Sequence, residues 1–87
     1  MTEPTPNKQL KVIARAPFHV YYEGTADSIS ATNRIGDFSI LPGHADFFSM
    51  LSAGTVTITD GETATEFEIE RGLMTVRDDA VYLFVGV

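Results

Sequence analysis

Apolar and polar residues alternate along most of this chain, and this period of two constrains the fold more than any other feature of the sequence. Successive side chains of a β-strand point to opposite faces, so residues 10–16 present one apolar face made of Leu10, Val12, Ala14 and Ala16. Residues 18–22 do the same with Phe18, Val20 and Tyr22, and we expect Gly24 to break that strand. The 3.6-residue period of an amphipathic helix is almost absent. The alternation therefore predicts an all-β fold.

The stretch TVTITDGETATEFEIE, residues 55–70, has the pattern of a β-hairpin around Asp60 and Gly61. Its threonines and glutamates form a wet face, and the dry face carries Val56, Ile58, Phe67 and Ile69. Further turns are indicated at Arg71-Gly72 and Asp78-Asp79, and residues 81–87 continue as a strand. Short strands with this turn spacing predict a small antiparallel β-sandwich without substantial helix. Residues 45–51 are too few for a stable helix, and we expect an irregular segment at a sheet edge.

The composition argues against several classes of function. The net charge is −6 and the six Lys and Arg residues are scattered, so no nucleic-acid surface is predicted. The absence of cysteine excludes a disulfide framework, a thiolate nucleophile and cysteine-ligated zinc. The start of the chain, MTEPTPNKQ, is polar, and no stretch approaches the roughly 20 apolar residues of a membrane span. We expect a flexible tail over residues 1–9 and one soluble intracellular domain over residues 10–87, monomeric when isolated.

Residues 36–51, GDFSILPGHADFFSML, contain the side chains most suggestive of chemistry. His44 and Asp46 could offer two ligands, but structural zinc needs four and catalytic zinc three, and His19 lies on another strand. A triad of Ser49, His44 and Asp46 would require neighbours on one short segment to converge, and no GxSxG motif supports it. No glycine motif for phosphate binding is present. We predict no catalytic residue, no metal and no cofactor; the enzymatic alternative is a small hydrolase or metal enzyme that uses His44.

Three spaced blocks of the sequence resemble one family. IGDFSILPGHADFFSML is similar to the EGEΦGIxPGHAxΦΦxxΦ stretch, with Φ apolar, of the epsilon subunit of F-type ATP synthases, the equivalent of the mitochondrial delta subunit. APFHVYYEGTADSISA resembles the TPEGxVYEGEADSΦxΦ of that family, and residues 52–85 resemble its downstream strands. Ser39 replaces a family glycine, and ERG at residues 70–72 replaces SGG. The resemblance covers residues 10–87, which correspond to the N-terminal β-sandwich, and the helical hairpin that commonly follows it is absent from this sequence.

The resemblance implies a non-catalytic rotor subunit of the central stalk, which links the gamma subunit to the c ring and supports coupling of proton translocation to ATP synthesis without the inhibitory helical arm. It implies a peripheral position on the cytoplasmic side of the inner (plasma) membrane. The implied c-ring contacts form one loop at an end of the sandwich: Gly36, Asp37, Ser39, Pro42, Gly43 and His44. The implied gamma contacts are Ala16, Phe48, Ser49 and Met50.

Phe47 and Phe48 are adjacent, so they cannot both face inward if they lie on a strand. Alternation alone leaves open which of the two faces outward; if it is Phe48, its removal would weaken binding more than folding. A different function also remains open, that of a stand-alone protein-binding β-sandwich unrelated to ATP synthesis, because a fold does not fix a function.

Overall fold

The computed structural model describes residues 9–86, which form nine strands and no helix. The strands are β1 (Leu10–Ala16), β2 (His19–Ala26), β3 (Ser28–Asn33), β4 (Gly36–Ile40), β5 (Phe47–Leu51), β6 (Gly54–Asp60), β7 (Thr63–Ile69), β8 (Gly72–Arg77) and β9 (Ala80–Val85). The predicted tail falls largely on residues 1–8, which lie outside the described residues, as does Val87. No helix within residues 9–86 has the length and apolarity needed to cross a membrane.

The strands form two sheets that pack as a β-sandwich, which confirms the predicted fold class. One sheet has the order β2-β1-β9-β8-β5 and the other the order β4-β3-β6-β7. All but one of the strand pairs are antiparallel; β1 and β9 pair in parallel, with Val12 opposite Val81 and Ala14 opposite Leu83. The exception arises because β9, which forms a hairpin with β8, lies between β8 and β1 in the same sheet. No local pattern signals this pairing of the first strand with the last.

The core lies between the sheets and is built by the alternation read from the sequence. One side of each strand contributes buried apolar residues, including Leu10, Val12 and Ala14 of β1 and Val56 and Ile58 of β6. No polar or charged residue is buried among residues 9–86. At about 1.5–3 kcal/mol for each fully buried large aliphatic side chain, this core supplies the main stabilisation of the sandwich.

The connections between strands gather at two ends of the sandwich. The β1–β2 turn with Phe18 and the β3–β4 turn with Ile35 lie at one end, which we call the Phe18 end. The link at Asp27, the β6–β7 and β8–β9 turns and the loop of residues 41–46 lie at the other, the His44 end. The strand directions fix this arrangement, and at the His44 end hydrogen bonds join the loop of residues 41–46 to the β8–β9 turn and Asp27 to the β6–β7 turn.

The β8–β9 turn confirms the interpretation of the paired aspartates. Asp78 and Asp79 have φ angles of 50° and 63° and are the two residues between the paired Arg77 and Ala80. Two successive positive φ angles define a type I′ hairpin turn, which matches the twist of the flanking strands. Aspartate tolerates this backbone conformation better than most residues.

The predicted course of residues 18–24 was wrong in two respects. Phe18 lies in the β1–β2 turn, and β2 continues through Gly24, which pairs with Val12. The irregularity lies instead at Tyr21, which has no partner on β1 because Val20 and Tyr22 pair with successive β1 residues, as in a β-bulge. The bulge lets Tyr21 pack towards the core and separates the faces of Val20 and Tyr22.

Aromatic pairs cover the two sides where the sheets' edge strands approach each other. Tyr21 of β2 stacks on Phe67 of β7, with ring centroids 4.5 Å apart, and Phe38 of β4 contacts Phe47 of β5 at 5.5 Å. The expectation of a sheet edge at residues 45–51 was confirmed for β5. The prediction that this segment is irregular was wrong for residues 47–51, because they pair regularly with β8.

Candidate functional site

The outer surface of the five-stranded sheet carries an exposed apolar patch. Strand register places Met50, Leu73 and Phe84 in one row, which continues through Arg15 to Val20. The next row holds Phe48 and, beyond Thr75, Tyr82 and Ile13. We call the patch the apolar face and define it by seven residues: Ile13, Val20, Phe48, Met50, Leu73, Tyr82 and Phe84. Met50 is 69% exposed and Phe48 64% exposed. Exposed large apolar side chains grouped on one sheet surface in this way are typical of a contact with another molecule.

The apolar face arises because β5 and β9 are apolar on both sides. In β9, Val81, Leu83 and Val85 are buried in the core, while Tyr82 and Phe84 point outward. A strand covered on both faces reads as a continuous apolar run, and AVYLFV in β9 and FFSML in β5 are such runs. This signal could have identified Tyr82 and Phe84 from the sequence, but we did not select them.

The outer surface of the four-stranded sheet is polar. The Ser30 and Ser39 hydroxyls lie 2.7 Å apart, and the Thr32 hydroxyl donates to the Asp37 carboxylate at 2.7 Å. A shallow depression of about 570 Å³ runs over these residues. Its hydroxyl groups bond to one another and to the carboxylate, as expected of a sheet face in contact with water. Only one of the two outer sheet surfaces therefore resembles a protein-binding surface.

The six predicted c-ring residues do not form one loop, so that part of the prediction was wrong. Gly36, Asp37 and Ser39 lie on β4, whereas Pro42, Gly43 and His44 lie in the loop that follows it. The alternation of β4 continues through Ile40, with Phe38 turned towards the core and Asp37 and Ser39 outward. The β3–β4 turn beside Gly36 and the loop containing His44 lie at opposite ends of the sandwich.

The predicted gamma contacts are better clustered. Phe48 and Met50 both belong to the apolar face, and Ala16 lies beside its rim in a small apolar cavity of about 210 Å³ that Phe84 also lines. Ser49 points away from this face; its hydroxyl accepts a hydrogen bond from the Asn33 amide at 3.3 Å. Phe48 is the outward member of the phenylalanine pair, which decides the choice that the sequence left open.

The Phe18 end presents two further exposed apolar side chains that the sequence did not single out as contacts. Phe18 is 100% exposed and Ile35 is 92% exposed. The Asn33 side-chain oxygen accepts hydrogen bonds from the backbone N–H groups of Ile35 and Gly36, at 2.9 and 3.2 Å. This Asx turn holds the tip of the β3–β4 turn in place and leaves the Ile35 side chain in solvent.

The residues considered for catalysis do not assemble. His44 Nδ1 lies 2.8 Å from the Ala45 carbonyl oxygen, and the His44 ring meets the Phe47 ring edge-on at 5.5 Å. The Ser49 hydroxyl bonds to the Met50 carbonyl and the Asn33 amide. Residues 9–86 also contain no group of three or more His, Asp or Glu side chains placed to hold a metal ion. His44 therefore acts in loop packing in this structure.

The clearest electrostatic perturbation lies at the His44 end, around Asp27. The backbone N–H of Gly61 donates to its carboxylate at 2.7 Å and the Gln9 side chain donates at 3.1 Å, and these bonds lower the pKa of Asp27. Gln9 also donates to Asp60 at 3.0 Å. Burial, followed by the charges of Asp60 and Asp27, raises the pKa of Tyr22. These bonds tie the β2–β3 link to the start of β1 and to the β6–β7 turn.

The fold is thus a β-sandwich whose five-stranded sheet exposes an apolar face on its outer surface. The chain belongs to the family described as ATP synthase, Delta/Epsilon chain, beta-sandwich domain, whose model matches residues 9–86. It is 35% identical over 78 residues to the ATP synthase epsilon chain of Geobacter metallireducens, a match that covers 90% of this chain and 56% of that one. It is 38% identical over 61 residues to the epsilon chain of Caulobacter vibrioides, covering 70% and 71%. The chain thus spans little more than half of its Geobacter relative.

Solved structures share the fold. A chain of the Euglena gracilis mitochondrial ATP synthase, solved as OSCP/F1/c-ring, matches with a TM-score of 0.83 and 17% identity, over 98% of this chain and 53% of that chain. A chain of the central stalk/c-ring structure of the Tetrahymena thermophila mitochondrial enzyme matches with a TM-score of 0.75 and 19% identity, over 90% and 63%. At these identities the likeness establishes the fold.

Proposed function

We propose that this chain is a non-catalytic subunit of the rotor, or central stalk, of an F-type ATP synthase. In this role it links the gamma subunit to the c ring and supports the coupling of proton translocation to ATP synthesis. The observation that carries the proposal is the apolar face, an exposed surface on a domain of a family whose relatives are named ATP synthase epsilon chain.

The gamma subunit is the proposed partner of the apolar face. Phe48 and Met50 lie at one side of this face, and Phe84 and Tyr82 continue it across the sheet. Exposed Lys11 and Arg77 lie on the same outer surface at the border of the apolar face, and Arg15 lies within it between Phe84 and Val20, so apolar and charged residues meet there as in many protein interfaces. Apolar contact then supplies affinity, and the rim charges orient the partner. Ala16 lies beside this contact, and Ser49 supports it from the inner side.

The Phe18 end is the proposed contact with the c ring. A single footprint cannot include both the β3–β4 turn and the loop containing His44, because they lie at opposite ends. The exposed side chains of Phe18 and Ile35 favour the Phe18 end, where Gly36 and Asp37 also lie. Under this proposal the loop of residues 41–46 has a different role, in the placement of β5. The chain reaches the membrane only through the ring, on the cytoplasmic side of the inner (plasma) membrane.

A binding experiment with purified partners tests the proposal. The wild-type chain is immobilised and offered gamma and detergent-solubilised c ring, separately and together. We expect Met50→Ala to reduce capture of gamma alone and Ile35→Ala to reduce capture of the c ring alone. Glu68→Gln, on the polar sheet surface, is the matched control and should bind both. Failure of the wild type to bind either partner would favour a stand-alone binding module.

A further inference from the structure

The pairing register of β5 is weakly specified by its own sequence. The inward positions hold Phe47, Ser49 and Leu51, and the outward positions hold Phe48 and Met50. A slip of one residue would exchange these two sets and send every side chain to the opposite face. Both sets are mostly apolar, so the burial of apolar area does not strongly favour one register. β5 is also an edge strand and pairs only with β8 within its sheet, while across the sandwich Ser49 accepts from Asn33 and the Ser52 N–H donates to the Thr32 carbonyl.

A hydrogen-bonded loop precedes β5 and can supply the missing constraint. The His44 N–H donates to the Leu41 carbonyl at 3.1 Å, which closes a four-residue turn with Pro42 second and Gly43 third. The φ of Gly43 is +87°, the value that a type II turn requires at its third position. The Gly43 N–H donates outside the turn, to the Asp79 side-chain oxygen at 2.8 Å.

Asp79 belongs to the turn that follows β8, the strand on which β5 pairs. Val76 of β8 is opposite Phe47, and Asp79 follows Val76 by three residues. The Asp79 side chain accepts a hydrogen bond from the Gly43 N–H, and residues 44–46 connect Gly43 to Phe47. The hydrogen bond therefore closes a short cycle at the first pair of the β5–β8 ladder. A slip would shift β5 by roughly 3.3 Å along β8, which so short a cycle does not accommodate.

We propose that Asp79 is a positioning residue that sets the register of β5, and so determines that Phe48 and Met50 face outward. Its backbone also takes part, because its carbonyl accepts from the Lys11 N–H at 2.8 Å and anchors the turn to β1. The consequence for binding rests on the proposed function, since it assumes that the apolar face receives gamma. The register itself is a property of the isolated chain.

Three variants separate the side-chain bond from the backbone. Asp79→Gly removes the acceptor and keeps the positive φ, which glycine adopts readily, so the turn is retained. Asp79→Asn keeps a side-chain oxygen and tolerates the same φ. Asp78→Gly is the matched control, because Asp78 has the same backbone conformation in the same turn. Each variant is studied by NMR for the Phe48–Thr75 cross-strand contact and for amide exchange at Gly43, and by titration with gamma.

In Asp79→Gly we expect exchange at Gly43 to accelerate about fivefold or more, in line with the loss of one hydrogen bond to a charged group. A second set of β5 resonances should lack the Phe48–Thr75 contact, and affinity for gamma should fall roughly five- to tenfold. Asp78→Gly should stay within about twofold of wild type, and Asp79→Asn, which keeps a neutral acceptor, should lie between wild type and Asp79→Gly. An Asp79→Gly protein with one β5 register and the Phe48–Thr75 contact intact would overturn the proposal. If wild type does not bind gamma, the proposed function fails and the register measurement still decides this inference.

Discussion

Truncation of the two adjacent phenylalanines should separate binding from folding. Phe48 is on the outer surface of β5, whereas Phe47 is half-buried and contacts the rings of Phe38 and His44 at 5.5 Å each. We therefore expect Phe48→Ala to weaken the complex with gamma and Phe47→Ala to destabilise the domain. Because the two residues are neighbours of one type, each variant is the control for the other.

The structure gives the size of both effects. About two thirds of Phe48 remains exposed, roughly 130 Å² of surface, which corresponds to ~3 kcal/mol if a partner buries all of it. Ordering of the interface reduces this figure, so we expect about 2 kcal/mol, or roughly 30-fold in Kd. Phe47→Ala should lower the free energy of unfolding by about 2–3 kcal/mol, less than a fully buried phenylalanine. For a domain of this size Tm should fall by roughly 8–24 °C.

The assay combines thermal melts of the isolated variants with titration of each variant into gamma at a temperature where all are folded. Phe48→Ala should melt within about 8 °C of wild type, since it removes little buried surface. The reasoning would be refuted if Phe48→Ala lost stability while Phe47→Ala lost binding, because the two faces of β5 would then be reversed.

Three further predictions concern stability and activity. Asp27→Asn removes a charged hydrogen-bond acceptor. Because the pKa of Asp27 is lowered in the folded state, the stabilisation that this carboxylate gives the wild type should be present above about pH 4 and be lost as pH falls through the folded pKa. Urea unfolding from pH 3 to 7 measures this, and a wild-type-to-variant difference that grows on acidification would contradict it. Gly72→Ala would place Cβ 2.6 Å from the Phe84 carbonyl oxygen, so we expect a loss of about 1–3 kcal/mol in the free energy of unfolding; an unchanged denaturation midpoint would exclude that clash. The 87-residue chain should bind no ATP in calorimetry and leave ATP hydrolysis by the reconstituted catalytic head little changed. The reason is that β9 is the central strand of its sheet, so its release as an inhibitory arm would expose Val81, Leu83 and Val85. Strong inhibition of hydrolysis or micromolar ATP binding would argue for a regulatory module.

Local alternation was enough to predict the all-β class and several strands. Val56 and Ile58 are buried as the hairpin pattern requires, and Asp78 and Asp79 form the expected turn. The same rule required that only one of Phe47 and Phe48 face outward, and the structure shows that it is Phe48. These features depend on neighbours in sequence, so the sequence alone could predict them.

Features that depend on distant contacts were missed. The parallel pairing of β1 with β9 joins opposite ends of the chain, and the bulge at Tyr21 reflects its packing against Phe67. The extent of β4 was also missed, so residues on that strand were grouped with His44 in one loop. Ile35 carries no pattern of its own, and its exposure became evident only from the turn that presents it.

The central claim is that this chain joins gamma to the c ring, and a three-component assembly measures it most directly. Wild-type chain, gamma and detergent-solubilised c ring are mixed in equal amounts and separated by size-exclusion chromatography with mass detection. Our account predicts one complex that contains all three, and predicts that the double variant Phe48→Ala, Met50→Ala no longer co-elutes with gamma when the c ring is left out. Elution of the wild-type chain alone, with gamma and the c ring running without it, would contradict the account.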